Sequence, residues 1–474
     1  MVEITSPHFK ENAVEALSDE NLQKAMRHLR GNFTAKRAAA AAALPEFEAL
    51  RDNARDIKNH VLTHLDLYLE AYEERVTAQG GKVHWAADAQ EARNIVLDIC
   101  RKADAKTVTK GKSMISEEID LNAFLERNGI TPVETDLGEY IIQLRGEHPS
   151  HIIAPAVHLN IDQVREDFRR AHSHLPPDRA MKEPESLLRE ARGILRKKFL
   201  SADVGITGAN FLVAETGTSV IVTNEGNGDL TQILPKVHVV IASIEKIVPT
   251  LEDMSQIVRV LARSATGQEM SVYTTLSTGP RRKEDPDGPE EFHVVLLDNG
   301  RSSMIGTEFQ DMLRCIRCGA CMNHCPVYQA VGGHAYGWVY SGPMGAVLTP
   351  TLIGVDKAGH LPNASTFCGR CEEVCPMHIP LPKMMRSWRE REFERHLSPV
   401  SYRSNLKLWA WFAKRPALYR PLAGLAMRSL SLMGGRRGRF SALPMAGSWT
   451  KDRDLPAPQG GTFISQWRNK RGRT

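Results

Sequence analysis

The hydrophobic pattern changes character several times along the chain. Up to about residue 78 apolar positions such as Ile57, Leu62, Leu65 and Leu69 recur at mostly helical spacing, and an alanine run occupies 38–43. That pattern predicts a helical opening segment. From Gly81 short apolar or alternating stretches take over. Residues 82–85, 107–109, 132–134, 152–154, 237–242 and 293–297 read as strands, with helical patterns at 87–103 and 116–127. Strands alternating with helices predict βαβ units and a mostly parallel sheet. Residues 160–200 read as charged helix. Two short apolar runs, 210–214 and 219–223, flank the tight turn Glu215-Thr216-Gly217-Thr218, and a second glycine-rich turn follows at Glu225-Gly226-Asn227-Gly228-Asp229. Residues 279–291 read as an exposed polar loop. Residues 384–433 are helical again, with Trp388, Trp409 and Trp411 among Lys and Arg, and the Pro-, Gly- and Arg-rich chain after Gly434 reads as poorly ordered.

Composition adds limits. A length of 474 residues allows about three domains. With 42% hydrophobic and 25% charged residues the chain reads as an ordinary globular protein. No run of about 18 uncharged apolar residues occurs, so no membrane-spanning helix is predicted. The opening residues lack a basic stretch followed by an apolar one, so no secretory signal is read and a cytoplasmic location is expected. The net charge of +5 hides an asymmetry: residues 381–474 hold 20 Lys+Arg and 5 Asp+Glu, net +15, which leaves net −10 for the rest. A uniformly basic nucleic-acid binder has a different profile. The basic tail is a candidate for docking onto an acidic partner or an anionic membrane surface, set against a simply solvated tail.

Seven of the eight cysteines lie within residues 315–375. The eighth, Cys100, sits in a helical apolar pattern and reads as core. The run Cys315-Ile-Arg-Cys318-Gly-Ala-Cys321-Met-Asn-His-Cys325-Pro326 has the C-x2-C-x2-C-x3-C-P spacing of bacterial ferredoxins, where three thiolates hold one [4Fe–4S] cluster and the fourth reaches another. After 42 intervening residues, Cys368-Gly-Arg-Cys371-Glu-Glu-Val-Cys375-Pro376 repeats its second half. The repeat predicts one cluster on Cys315, Cys318, Cys321 and Cys375, and a second on Cys325, Cys368 and Cys371. The position matching a fourth ligand of the second cluster holds Ser365. A [3Fe–4S] form, a labile iron, or ligation by Ser365 or a partner all remain open there. Zinc sites want two separated pairs, which this is not. The long spacer between the runs implies that they are mounted on helices.

Other chemistry is sparse. No G-x-G-x-x-G follows a strand, so no nicotinamide or flavin site is read. Lys110-Gly111-Lys112-Ser113 fails as a phosphate loop because its first glycine position holds Lys106, though the turn could bind an anion. The turns at 215–218 and 224–228 put carboxylates and flexible backbone at strand ends, where open α/β sheets bind ligands; ordinary turn chemistry explains them too. His238, in an apolar strand, reads as a satisfied core histidine.

Ala214-Glu215-Thr216-Gly217-Thr218, Asn224-Glu225-Gly226-Asn227, the run from Cys315 to Pro326 and the run from Ser365 to Pro376 together resemble the lactate utilisation protein B family. The resemblance covers nearly the whole chain, and Ser365 matches the family pattern. It implies a helical segment at 1–75, an α/β LUD domain at 76–305 similar to the NagB/RpiA/CoA-transferase-like fold, an α-helical ferredoxin-type two-cluster domain at 306–390, and a basic C-terminal region at 391–474. It implies two [4Fe–4S] clusters, partner proteins A and C, and a system that oxidises L-lactate to pyruvate with this chain as its iron–sulfur electron-transfer subunit. Two other functions stand beside that one. One is a CoA-transferase- or isomerase-like enzyme using Glu215, with structural clusters; the other is a docking scaffold.

Overall fold

The computed structural model describes residues 4–443, 447–450 and 453–471. Ten strands form in the α/β region: β1 (Lys82–Ala86), β2 (Thr107–Gly111), β3 (Thr131–Glu134), β4 (Val204–Thr207), β5 (Phe211–Val213), β6 (Thr218–Thr223), β7 (Val237–Ser243), β8 (Ile247–Val248), β9 (Tyr273–Ser277) and β10 (Glu291–Leu297). Six of them pair in parallel in the order β1-β10-β7-β4-β2-β3. β7 lies inside this sheet with all seven residues buried, as a central strand's near-continuous apolar run requires. The other four form a mixed sheet in the order β8-β5-β6-β9.

Helices cover the parallel sheet. Asp88 caps Ala89–Lys102 by accepting from Gln90 N–H and Glu91 N–H, and the stripe Ala92, Val96, Ile99 and Cys100 turns inward at helical spacing. Cys100 is fully buried, and burial pushes its thiol up to about 12. His238 is buried in β7 and its Nε2 pairs with Thr207 Oγ1 at 2.9 Å, a satisfied core histidine.

The opening segment forms four helices, Phe9–Ser18, Glu20–Ala42, Phe47–Thr63 and Leu65–Ala78. Leu29, Phe47, Leu50 and Ala54 from these helices share one hydrophobic core with the mixed sheet and the cysteine region. Residues 152–154, read as a strand, form an irregular turn instead. The chain just ahead of it is fixed from outside: Tyr328 Oη and Ser341 Oγ both donate to the Ser150 carbonyl. Pro155 lacks an N–H for a ladder. β9 escaped the sequence reading because its residues are partly exposed and its pattern does not alternate.

Two compact units emerge, Met1–Glu392 and Phe393–Thr474. The second holds helices Val400–Ala413 and Pro416–Gly434, an antiparallel pairing of Arg439–Phe440 with Leu455–Pro456, and helix Phe463–Arg471. The region past Gly434 is therefore more regular, among the described residues, than its composition implies; 444–446, 451–452 and 472–474 lie outside them. Trp409 and Trp411 are exposed, whereas Trp388 is core: it stacks on Phe309 at 4.2 Å and donates to Val347 O at 2.9 Å.

Candidate metal centre

Each cysteine run folds into the same local shape. Cys318 and Cys368 are each preceded by a non-glycine residue in the left-handed region, Arg317 (φ 60°) and Phe367 (φ 53°), and followed by a left-handed glycine, Gly319 (φ 73°) and Gly369 (φ 80°). A four-residue helix comes next in both, Ala320–Asn323 and Arg370–Glu373, carrying Cys321 and Cys371. Cys325 and Cys375 then stand before Pro326 and Pro376. The tight left-handed turn reverses the chain, so that successive thiols face one point instead of following a helix.

The two runs interleave. Cys315, Cys318, Cys321 and Cys375 line one small cavity, walled by Ile152, Ile316, Met344 and Met377. Cys325, Cys368 and Cys371 line another, together with Ser365. Cys368 is exposed and the other two thiols are buried, so this second site lies at the surface. Ser365 Oγ accepts the Phe367 N–H at 3.1 Å.

Burial raises the thiols of Cys318 and Cys325, raises Cys321 well above the ordinary range, and lifts Cys371 to about 12 and Cys375 to about 11. Neighbouring sulfurs add to this at most of these positions. Backbone N–H groups work the other way. Those of Ala320, of Val327 and Tyr328, and of Met377 and Ile379 are directed at Cys318, Cys325 and Cys375, and favour thiolate. Convergent buried sulfurs that repel one another and are met by aimed N–H donors are a donor set built for soft metal, and iron–sulfur cores suit it.

Cations surround the four-thiol site, and the sequence reading missed them. Arg37 donates to Val374 O at 2.9 Å, and Arg51 donates to Glu373 O at 2.9 Å and Cys375 O at 2.7 Å. The opening helices thus grip the second cysteine run by its backbone. Behind Cys315 lies a buried polar network. Arg301 donates to both oxygens of Glu118, at 2.9 and 2.6 Å, and pairs with Glu245 at 3.2 Å. Tyr340 Oη donates to Glu118 at 2.6 Å, and Arg317 reaches Glu245 at 3.4 Å with its guanidinium over the Tyr340 ring at 4.7 Å. Burial alone would protonate Glu245, yet Arg301, Arg317 and Lys246 hold it at about 2. Lys58 donates to the carbonyls of Glu245 and Ile247.

A larger cavity, about 220 Å3, opens at the carboxyl ends of β7, β4, β2 and β3. Lys112 and Ser113 follow β2, Asp136 follows β3, Gly208 and Asn210 follow β4, and Lys246 follows β7. Glycine is required at 208, where a Cβ would stand 2.5 Å from the Lys112 carbonyl oxygen. Lys112 pairs with Asp136 and with Glu225 across the mouth. Ile152 lines both this cavity and the four-thiol one, and Arg317, which lines this one, lies in sequence between Cys315 and Cys318. Of the two turns flagged in the sequence, 224–228 contributes Asn224 and Glu225 here; Glu215 is elsewhere, accepting Leu251 N–H at 3.2 Å at the start of helix Leu251–Ala265.

One further group among the described residues could hold a metal, Glu147 with His158 and His334. Its carboxylate is already paired with Arg145 at 2.7 Å and His158 at 2.9 Å.

Comparison with known proteins bears on both halves of the chain. A family model described as the LUD domain matches residues 69–297, and one described as a 4Fe-4S dicluster domain matches 311–379. Proteins called Lactate utilization protein B from Bacillus licheniformis and Bacillus velezensis are each 42% identical over 99% of this chain and 98% of their own. The protein of that name from Bacillus subtilis is 42% identical over 98% of this chain and 96% of its own. A crystal structure of a DUF162 family protein from Deinococcus radiodurans overlaps 49% of this chain and 98% of its own, at 16% identity and a TM-score of 0.26.

Proposed function

The chain belongs to the lactate utilisation protein B family, and from that premise we propose that it is the iron–sulfur electron-transfer subunit of a complex oxidising L-lactate to pyruvate. The observation that carries this reading is the sorting of seven cysteines into an inner set of four, with Cys315 half-buried and the others buried, and a set of three that reaches the surface at Cys368, side by side in one fold. A structural staple needs one metal site; two adjacent sites, one at the surface, suit the passage of charge.

In this reading Cys315, Cys318, Cys321 and Cys375 hold the inner [4Fe–4S] cluster and Cys325, Cys368 and Cys371 the outer one, whose fourth corner is open, as a [3Fe–4S] form or a labile iron, or is taken by Ser365, which lines the same cavity, or by a partner. When bound, these clusters supply one-electron chemistry at potentials set by charge, hydrogen bonding and exposure. The chain's own part is to seat them. Buried thiols give up protons as iron enters, aimed N–H groups stabilise the sulfurs, and Arg37, Arg51 and Arg317 offset negative charge at the inner site.

The partners in this reading are proteins A and C of the same system, and the location is the cytoplasm; no helix among the described residues is long and apolar enough to cross a membrane. The basic region at 391–474 serves to dock an acidic partner or anionic surface. The LUD part, at 76–305, follows the NagB/RpiA/CoA-transferase-like plan behind a helical segment at 1–75, and 306–390 is a helical ferredoxin-type domain.

The test is reconstitution with A and C under anaerobic conditions. Wild-type protein should carry seven or eight irons and be reduced by L-lactate. Cys318→Ser or Cys371→Ser should abolish lactate oxidation by the assembled complex. About four irons, or activity that survives loss of iron, overturns the proposal.

A further inference from the structure

The cavity at the carboxyl ends of β7, β4, β2 and β3 has an uneven charge distribution. On its outer side Lys112 is spent on Asp136 and Glu225. On its inner side are two cations that the protein does not fully use. Lys246 is 7% exposed, and its ammonium has no hydrogen bond or ion pair among the described residues. Arg317 spends Nη2 on Glu245, while its Nη1 is buried without a partner. An unpaired buried cation is costly unless something occupies it. Burial and the nearby Arg317 depress the Lys246 ammonium to about 8, the price of holding two like charges side by side.

We propose that this cavity binds a small organic carboxylate, whose charge is taken by Lys246 and the free Nη1 of Arg317, against the wall shared with the four-thiol site. The position is the one where parallel α/β sheets bind ligands, beyond the strand ends. The size points to a small molecule: about 220 Å3 falls below the roughly 300–1,000 Å3 of sites for drug-sized ligands. The charge points to a monoanion. Asp136 and Glu225 also line the space and repel a dianionic phosphate. A second oxygen on the ligand has a donor: the Asn210 side-chain oxygen accepts from Val222 N–H at 2.9 Å, which leaves its NH2 to face the space. A short carboxylate bearing one more oxygen function therefore matches the groups on offer. Bound there, it would stand across Ile152, which lines both spaces, from the cysteine cavity.

The choice of L-lactate and pyruvate as probes rests on the lactate reading above; the anion site itself does not. Titration calorimetry of the anaerobic iron-loaded chain, without A or C, should show binding of one or both, and little of inorganic phosphate. Lys246→Gln should weaken that binding roughly tenfold or more at an unchanged iron-to-protein ratio. Peptide mapping after amine-selective labelling of wild-type protein gives a second readout independent of any variant: the bound carboxylate should shield Lys246. Failure of both carboxylates to bind or shield, unchanged affinity in Lys246→Gln, or preference for phosphate overturns the site. A complex that lactate reduces while this chain binds neither probe sinks the pocket and spares the electron-transfer role; binding here without lactate-driven reduction does the reverse.

Discussion

Arg301 is fully buried and joins two carboxylates, Glu118 and Glu245, that come from the α/β part, while Tyr340 and Arg317 tie the same carboxylates to the cysteine region. Removing one partner of such a network leaves charge uncompensated inside the protein, which costs about 3–5 kcal/mol. Arg301→Met should lower stability by that order in denaturant titration, and far more than Arg55→Met, whose partners Asp52 and Asp56 are exposed. His238 makes a prediction about pH. Burial lowers its folded-state value to about 3, against about 6.5 in the unfolded chain. Its stability contribution is therefore complete above pH 6.5 and falls as pH drops toward 3, because only the unfolded state takes up the proton. The slope is about 1.4 kcal/mol per pH unit. His238→Gln should be less sensitive to acid over that interval by about one proton, measured as unfolding free energy against pH.

At the scale of elements, close approach decides more than propensity. Helix Asn227–Ile233 lies on β4 so tightly that a Cβ at Gly205 would stand 1.9 Å from the Thr231 carbonyl oxygen. Gly205→Ala should cost roughly 3 kcal/mol, seen as a lower unfolding midpoint, and β4 with the cavity floor should be the part displaced. The βαβ rhythm and the interleaved cysteine repeat are legible in the sequence because both are local: alternating runs, capping residues and fixed spacings each speak for a few neighbouring residues. What is not legible is what depends on distant segments. Residues 152–154 carry a strand-like run, but the chain just ahead of them is pinned at the Ser150 carbonyl by Tyr328 and Ser341, nearly two hundred residues on. Arg37 and Arg51 look like helix surface, and only the fold sets them on the backbone at 373–375. Glu215 and Glu225 sit in similar turns; tertiary position alone sends one to a helix start and the other to a cavity.

For the whole molecule, the metal sites belong to the main core. Cys318, Cys321, Cys325, Cys371 and Cys375 share a hydrophobic cluster with Leu29, Phe47 and Ala54 of the opening helices. Stripping iron with a chelator under reducing conditions should lower the thermal midpoint of the 1–392 unit as a whole instead of loosening one loop. It should also take up protons, because burial holds these thiols above neutral pH. An alkaline drift in weakly buffered solution, matched to iron lost, would register that uptake.

The crossing of Cys375 into the set begun by Cys315 has a bearing on biosynthesis. Cys375 lies sixty positions after Cys315 in the chain, and the arginines that clasp the backbone at 374 and 375 lie far upstream, at 37 and 51. A nascent polypeptide on the ribosome has three of the inner thiols long before the last emerges. With the proposed ligand set, cofactor delivery to that seat awaits release of the stretch around Cys375 and its docking against the first helices, so maturation acts on a chain already grown past Cys375.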